Sequence, residues 1–199
     1  MLVDLPEVNR CDTPRALTLA DSVCALFDRA FALPPHRWST AESARHRDVL
    51  ASLLARQGFV LVAAEMGDVV VGAAYGYPLE SADGWWDKVA ALPPEFTVES
   101  GGRTFLISGL AVDPDWQRKG IGRELIQRLL ADRPEQRVAY SVQPGATGVH
   151  ALIGRPETEP VGYRYFPPEA PIELLEFYTL RLPIKGNREL RVPGPTPEP

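Results

Sequence analysis

The chain has 199 residues and a mass of 21.9 kDa, enough for one domain with a substantial core. Hydrophobic residues at 45% and charged residues at 24% exclude wholesale disorder. A net charge of −5 and a pI near 5.3 exclude a general nucleic-acid binder, which carries a basic stripe, and suit cationic partners.

In chain order, residues 1–14 mix charge and proline and read as an irregular lead-in or a short edge strand. Thr18 to Phe31 repeats apolar residues at helical spacing (Leu19, Val23, Leu26, Phe27, Phe31) until Pro34-Pro35 stops it. Ser39-Thr40-Ala41-Glu42 reads as a capping box for a second helix, running to Arg56 with Gly58 as its stop. The period then changes. Phe59 to Ala64 and Val69 to Tyr75 flank the turn Met66-Gly67-Asp68, which is a hairpin signal. Residues 79–102 form a long connection with Trp85, Trp86, Pro93 and Pro94, a length usually reserved for functional segments.

Thr104 to Val112 is apolar almost throughout, as a buried central strand is. After Asp113-Pro114-Asp115, Gly120 to Ala131 carries a helical apolar face, and Arg137 to Val142 reads as a further strand. Residues 146–153 suit a short helix and Glu173 to Leu182 a last strand. The proline-rich tail, residues 191–199, suits disorder, leaving residues 1–190 as one domain. The order is helix, helix, hairpin, central strand, helix, strand, short helix, strand. It predicts an α/β (mixed α+β) fold: one mixed, mostly antiparallel sheet with helices on both faces and one strand–helix–strand crossover that pairs parallel.

The segment richest in chemistry is Gln117-Arg118-Lys119-Gly120-Ile121-Gly122, between the central strand and the helix. Its glycines admit close approach and unusual torsions, and the helix start offers unpaired N–H donors at the positive end of a dipole. Arg118, Lys119 and Arg123 add local positive charge to an acidic protein. This is a pyrophosphate cradle. A P-loop is absent, and Leu125 stands where a dinucleotide fingerprint needs its third glycine.

Leu110-Ala111-Val112-Asp113-Pro114-Asp115-Trp116-Gln117-Arg118-Lys119-Gly120-Ile121-Gly122-Arg123-Glu124-Leu125 resembles the acetyl-CoA-binding segment of the GCN5-related N-acetyltransferases, the GNAT superfamily. The inferred element order over residues 15–182 resembles the rest of that fold. The resemblance implies acetyl-CoA as acyl donor and direct transfer to a primary amine of a small molecule or peptide. Backbone groups of Leu110, Ala111 and Val112 would pair with the pantetheine arm, and amides across residues 117–122 would hold the pyrophosphate. A non-catalytic acyl-CoA sensor of the same fold is the alternative.

Two habitual positions of the family differ here. Ala146 to Arg155 fits the spacing of the family's Ala-x-x-Leu-Tyr segment, but His150 replaces the tyrosine that protonates the leaving thiolate. His150 is a candidate general acid or a structural side chain, and Tyr163 or Tyr165 is an alternative hydroxyl. Ser108 stands where many relatives carry a basic glutamate, and serine suits ordering a water or packing. Glu80 or a water chain is then the candidate base, or else the acceptor is already weakly basic. The family's acceptor wall maps onto residues 31–38 and 79–87. Trp38, Trp85 and Trp86 are candidates for an aromatic wall against a cationic or ring-bearing amine, with Glu80, Asp83 and Asp87 to hold its charge, the alternative being that the tryptophans pack the loop.

His36 and His46 read as surface residues. With three scattered histidines and two cysteines, Cys11 and Cys24, no metal-ligand spacing occurs, so no metal is expected. Two early cysteines, no secretory signal and no long apolar run point to a cytoplasmic protein without a membrane span, and a homodimer is compatible with the sequence.

Overall fold

In a computed structural model of the chain, residues 5–89, 92–146, 148–149, 152, 158–167 and 172–182 are described. Among the described residues, seven strands make one sheet: β1 (Glu7–Cys11), β2 (Val60–Met66), β3 (Val69–Pro78), β4 (Thr104–Val112), β5 (Arg137–Val142), β6 (Thr158–Tyr165) and β7 (Leu174–Arg181). Their order across the sheet is β1-β2-β3-β4-β5-β7-β6, antiparallel throughout except for the parallel pair β4–β5. Helices α1 (Thr13–Phe31), α2 (Thr40–Leu54) and the four-residue α3 (Pro94–Thr97) precede β4, and α4 (Ile121–Leu130) provides the crossover to β5. The architecture is the mixed sheet that the element order implied.

The helices start where their caps allow. Asp12 accepts from the Arg15 amide at 2.8 Å, so α1 begins at Thr13 rather than Thr18, with Pro14 tolerated in the first turn. The capping box of α2 is present, with the Ser39 amide donating to Glu42 Oε2 at 2.7 Å. Ala16, Leu19, Val23, Leu26 and Phe27 of α1 and Leu50, Leu53 and Leu54 of α2 cover one face of the sheet. Ile121, Leu125, Ile126, Leu129 and Leu130 of α4 cover the other. Burying these side chains, eight on the first face and five on the second, at about 1.5–3 kcal/mol for each Val, Leu, Ile or Phe, is the main drive for closing the layers.

Three local expectations change. His46 is buried, 8% exposed, because α2 lays that position against Phe27 and Tyr75. The edge strand β6 was not anticipated, since Pro160 and Gly162 break the strand pattern; an edge needs no donor at every position. The long connection is anchored by single 3-10 turns at Ser81–Asp83 and Trp86–Lys88 and by α3. Of residues 146–153, the described Gly148, Val149 and Leu152 have helical backbone; the 191–199 tail lies outside the described residues. Among the described residues, no helix is long and apolar enough to cross a membrane.

Candidate active site

β4 and β5 pair only over Thr104↔Arg137, Phe105↔Val138 and Leu106↔Ala139, although β4 continues to Val112 and β5 to Val142. The two strands therefore part after Leu106 and open a cleft. A buried polar clamp holds the closed end. Arg137 Nε donates to Thr104 Oγ1 at 2.7 Å, and its Nη2 donates to Glu99 Oε1 at 3.0 Å and to the Phe96 carbonyl at 2.9 Å. Glu99 Oε1 also accepts from Trp86 Nε1 and Thr104 Oγ1, each at 2.7 Å. Burial pushes the Arg137 guanidinium below its ordinary pKa, with Glu99 pulling the other way.

At the open end β4 carries a bulge. Tyr75 faces Gly109 and Gly76 faces Ile107, so Ser108 has no partner on β3 and its side chain is exposed. Glycine is required on both sides of this irregularity. A Cβ at Gly76 would lie 2.3 Å from the Leu106 carbonyl oxygen, and one at Gly109 would lie 2.3 Å from the Tyr75 ring.

Beyond β4 the chain turns into α4. Asp113 stabilises the turn twice, accepting from the Asp115 amide at 3.2 Å and from Arg29 Nε at 2.9 Å. Gln117 Nε2 donates to the Val112 carbonyl at 3.0 Å. Arg118 and Gly120 adopt positive φ, 63° and 87°, and so curl the backbone into a concave turn. The Arg123 and Glu124 amides bond back to the Gly120 carbonyl, while the first-turn amides of Ile121 and Gly122 have no place in the intrahelical ladder.

These pieces enclose a cavity of about 640 Å³. Leu110, Ala111 and Val112 form one wall, and Gln117, Arg118, Gly120, Gly122 and Arg123 form its cationic end. Phe31 and Pro34 to His36 from the α1–α2 loop, with Trp116 and Gly145, complete it; the residue pattern does not reveal them as cavity residues. The sequence pointed to the 31–38 loop only as an acceptor wall, since contact with Gly145 depends on the tertiary fold. Gly122 lies close to the far wall, where a Cβ would sit 2.9 Å from Leu152 Cδ1. Lys119 instead donates to the Asp115 carbonyl at 2.9 Å and lies over the Trp116 ring, and the Ile121 side chain is buried in the core.

The other candidates are more scattered. His150 lies outside the described residues. Tyr163 is 51% exposed on β6, separated from β4 by two strands, and Tyr165 is more exposed still. Trp38 packs edge-on against Phe31 at 4.7 Å. Trp86 is buried in the clamp, Trp85 packs 5.4 Å from Phe177, and exposed Glu80 begins the turn in which Asp83 pairs with Arg56. Trp85 and Trp86 thus fasten the long connection to the sheet. Among the described residues, no three His, Cys, Asp or Glu side chains group as a metal site.

The architecture has known counterparts. The ribosomal-protein-S18-alanine N-acetyltransferase from Escherichia coli superposes with a TM-score of 0.60 at 17% identity, covering 91% of this chain and 96% of its own. Aminoglycoside 6'-acetyltransferase type Ii gives 0.59 at 13% identity, covering 88% and 96%. A GNAT-like decarboxylase in complex with isobutyryl-CoA gives 0.54 at 15% identity, covering 88% and 98%. No curated protein matches the chain in sequence. The profile of the acetyltransferase (GNAT) family matches residues 21–154, two thirds of the chain, and the protein belongs to that family.

Proposed function

We propose that this protein is an acetyl-CoA-dependent N-acetyltransferase that acts by direct transfer on a primary amine of a small molecule or peptide. The observation that carries this reading is the cavity at the parting of β4 and β5, with strand backbone at Leu110–Val112 along one side and Arg118, Gly120, Gly122 and Arg123 at its end. The extended wall suits an added pantetheine arm. The helix N-terminus with two arginines suits the pyrophosphate of coenzyme A. Parting strands leave backbone groups of β4 available to orient a thioester carbonyl near the Ser108 bulge. Ser108 would order a water rather than remove a proton from an amine. The family resemblance offers His150 or Tyr163 as proton donor to the thiolate, but Tyr163 stands two strands away from β4, so the cavity lining itself is the place to look for that group. Trp38, Trp85, Trp86 and Glu80 are proposed on the acceptor side, with the body-packing of Trp85 and Trp86 giving them a supporting role.

The exposed serine on the bulge, in place of a carboxylate, favours one second reading: an acyl-CoA sensor without transfer activity. Calorimetry with acetyl-CoA, followed by thiol release with polyamines, aminoglycosides, amino acids and peptide N-termini, separates the two. Binding with turnover of one acceptor class is expected. Tight binding with silence across the panel favours the sensor, and no binding overturns both.

A further inference from the structure

We infer that His36, in the loop between α1 and α2, is the group that moves the proton during acyl transfer. The inference rests on the acetyl-CoA reading above and deepens it. The cavity beside Leu110–Val112 is lined by apolar residues, Gln117, the fixed cations Arg118 and Arg123, and His36. Among its described lining residues, His36 is the one side chain that exchanges a proton near neutral pH. A tetrahedral intermediate formed there needs such a group, and arginine cannot be one.

The imidazole is held rather than dangling. Its ring stacks on Phe31 at 4.0 Å between centroids. The loop is closed by hydrogen bonds from the His36 and Arg37 amides to the Leu33 carbonyl, each at 3.2 Å, and from the Trp38 amide to the Phe31 carbonyl at 2.8 Å. Pro35 meets the opposite rim, where a Cβ on Gly145 would lie 3.0 Å from Pro35 Cβ. The loop thereby spans the cleft from α1 to the segment after β5, and carries His36 with it.

The surroundings favour the neutral imidazole. Burial lowers the pKa of His36. Phe31 and Ala30 of α1, Leu110 to Val112 of β4, and Gly145, Ala146, Gly148 and Val149 are uncharged, while Arg118 and Arg123 also line the cavity and Arg37 follows in the chain. No described carboxylate lines this cavity to draw the proton back. The amine enters neutral, having left its ionising proton in solvent. As its nitrogen bonds to the thioester carbon, His36 takes the proton that nitrogen sheds. As the C–S bond breaks, the imidazolium returns that proton to sulfur. One amide and one thiol form, and the imidazole is regenerated.

The full-length wild type, His36→Gln and His36→Phe are compared by calorimetry with acetyl-CoA and by thiol release with spermidine, kanamycin and an alanine-initiated tetrapeptide as acceptors. The Phe variant keeps the stack on Phe31 without a proton, and thermal melts report folding. The expected result is retained acetyl-CoA affinity in both variants, a kcat loss of about a hundredfold or more, and disappearance of the acid limb of the kcat profile. Wild-type kcat and pH profile in either variant would overturn the assignment while leaving the acetyl-CoA reading intact. Should acetyl-CoA bind without turnover of any probe, the His36 ring proton resonances decide: a shift of their titration on adding acetyl-CoA supports the placement, and an unmoved titration removes it. No acetyl-CoA binding by the wild type removes the acyl-transfer reading, and the proton role with it.

Discussion

His46 Nε2 lies 2.9 Å from the Tyr75 hydroxyl, inside the layer between α2 and β3. The same Tyr75 ring lies against Gly109 beside the β4 bulge, so this buried pair connects the helical layer to the irregular strand at the cleft. Phe27 stacks on His46 at 4.4 Å and shields it from water.

That environment makes stability pH-dependent. Burial pushes the His46 imidazole down to about 4, with Asp28 pulling up and Arg47 pushing down. Between roughly pH 6.5 and 4 the unfolded imidazole holds a proton that the folded one excludes. The unfolded state then binds more protons, so stability is complete above that window and falls as the solution is acidified through it, by up to about 3 kcal/mol. Urea melts from pH 7 to pH 4 read this. His46→Gln should flatten the slope, and an unchanged slope assigns it to other groups.

Gly109→Ala places a methyl group 2.3 Å from Tyr75 ring carbons that are enclosed by the core. Overpacking of this kind costs about 1–3 kcal/mol and should straighten or displace the bulge. The expected outcome is lower stability together with a larger proportional loss of acyl transfer. Pairing the change with Tyr75→Leu should recover part of the stability; additive losses would show that the ring is not the obstacle.

Gly120 meets no atom within 4 Å of a built Cβ, yet its φ is 87°. Its requirement is therefore conformational rather than spatial. Gly120→Ala should cost about 1–2 kcal/mol through the left-handed backbone and weaken acetyl-CoA binding by misdirecting the first amides of α4. Gly122 is the converse, tolerant in backbone but facing the cavity and Leu152. Gly122→Trp should abolish acetyl-CoA affinity while shifting the melting temperature little. Retained affinity in the Trp variant would move the ligand elsewhere.

Arg137→Ala removes the cation beside Glu99 at the closed end of the cleft. A buried carboxylate left unpaired costs about 3–5 kcal/mol, whereas replacing both members by uncharged side chains is far milder. Arg137→Met combined with Glu99→Gln should therefore be more stable than Arg137→Ala alone in urea melts. The reverse order would deny the clamp its role.

The Gln117–Gly122 loop, the Ser39–Glu42 capping box, the hairpin and the central strand were legible because each depends on neighbours in the chain: period, cap chemistry and turn residues act over a few positions. The Asp12 cap was missed, so α1 starts five residues earlier than its apolar period suggested. Strand β6 was not legible, because an edge strand need not alternate and tolerates proline, so its local pattern is weak. The tryptophans and histidines were readable as residues but not as places. Trp86 turned out to belong to the Glu99–Arg137 clamp and His46 to the core, since both fates depend on segments far apart in sequence.

By itself, then, the sequence determined a mixed fold with a glycine-rich, basic turn entering a helix after a central strand. Only the tertiary structure decided that β4 and β5 part after Leu106, that Ser108 stands out on a bulge, and that Pro35 crosses to Gly145 and brings His36 to the cavity. The physical reason is range. Local torsional and capping preferences are encoded residue by residue, whereas a cavity is made by packing layers whose contacts are set by the whole core.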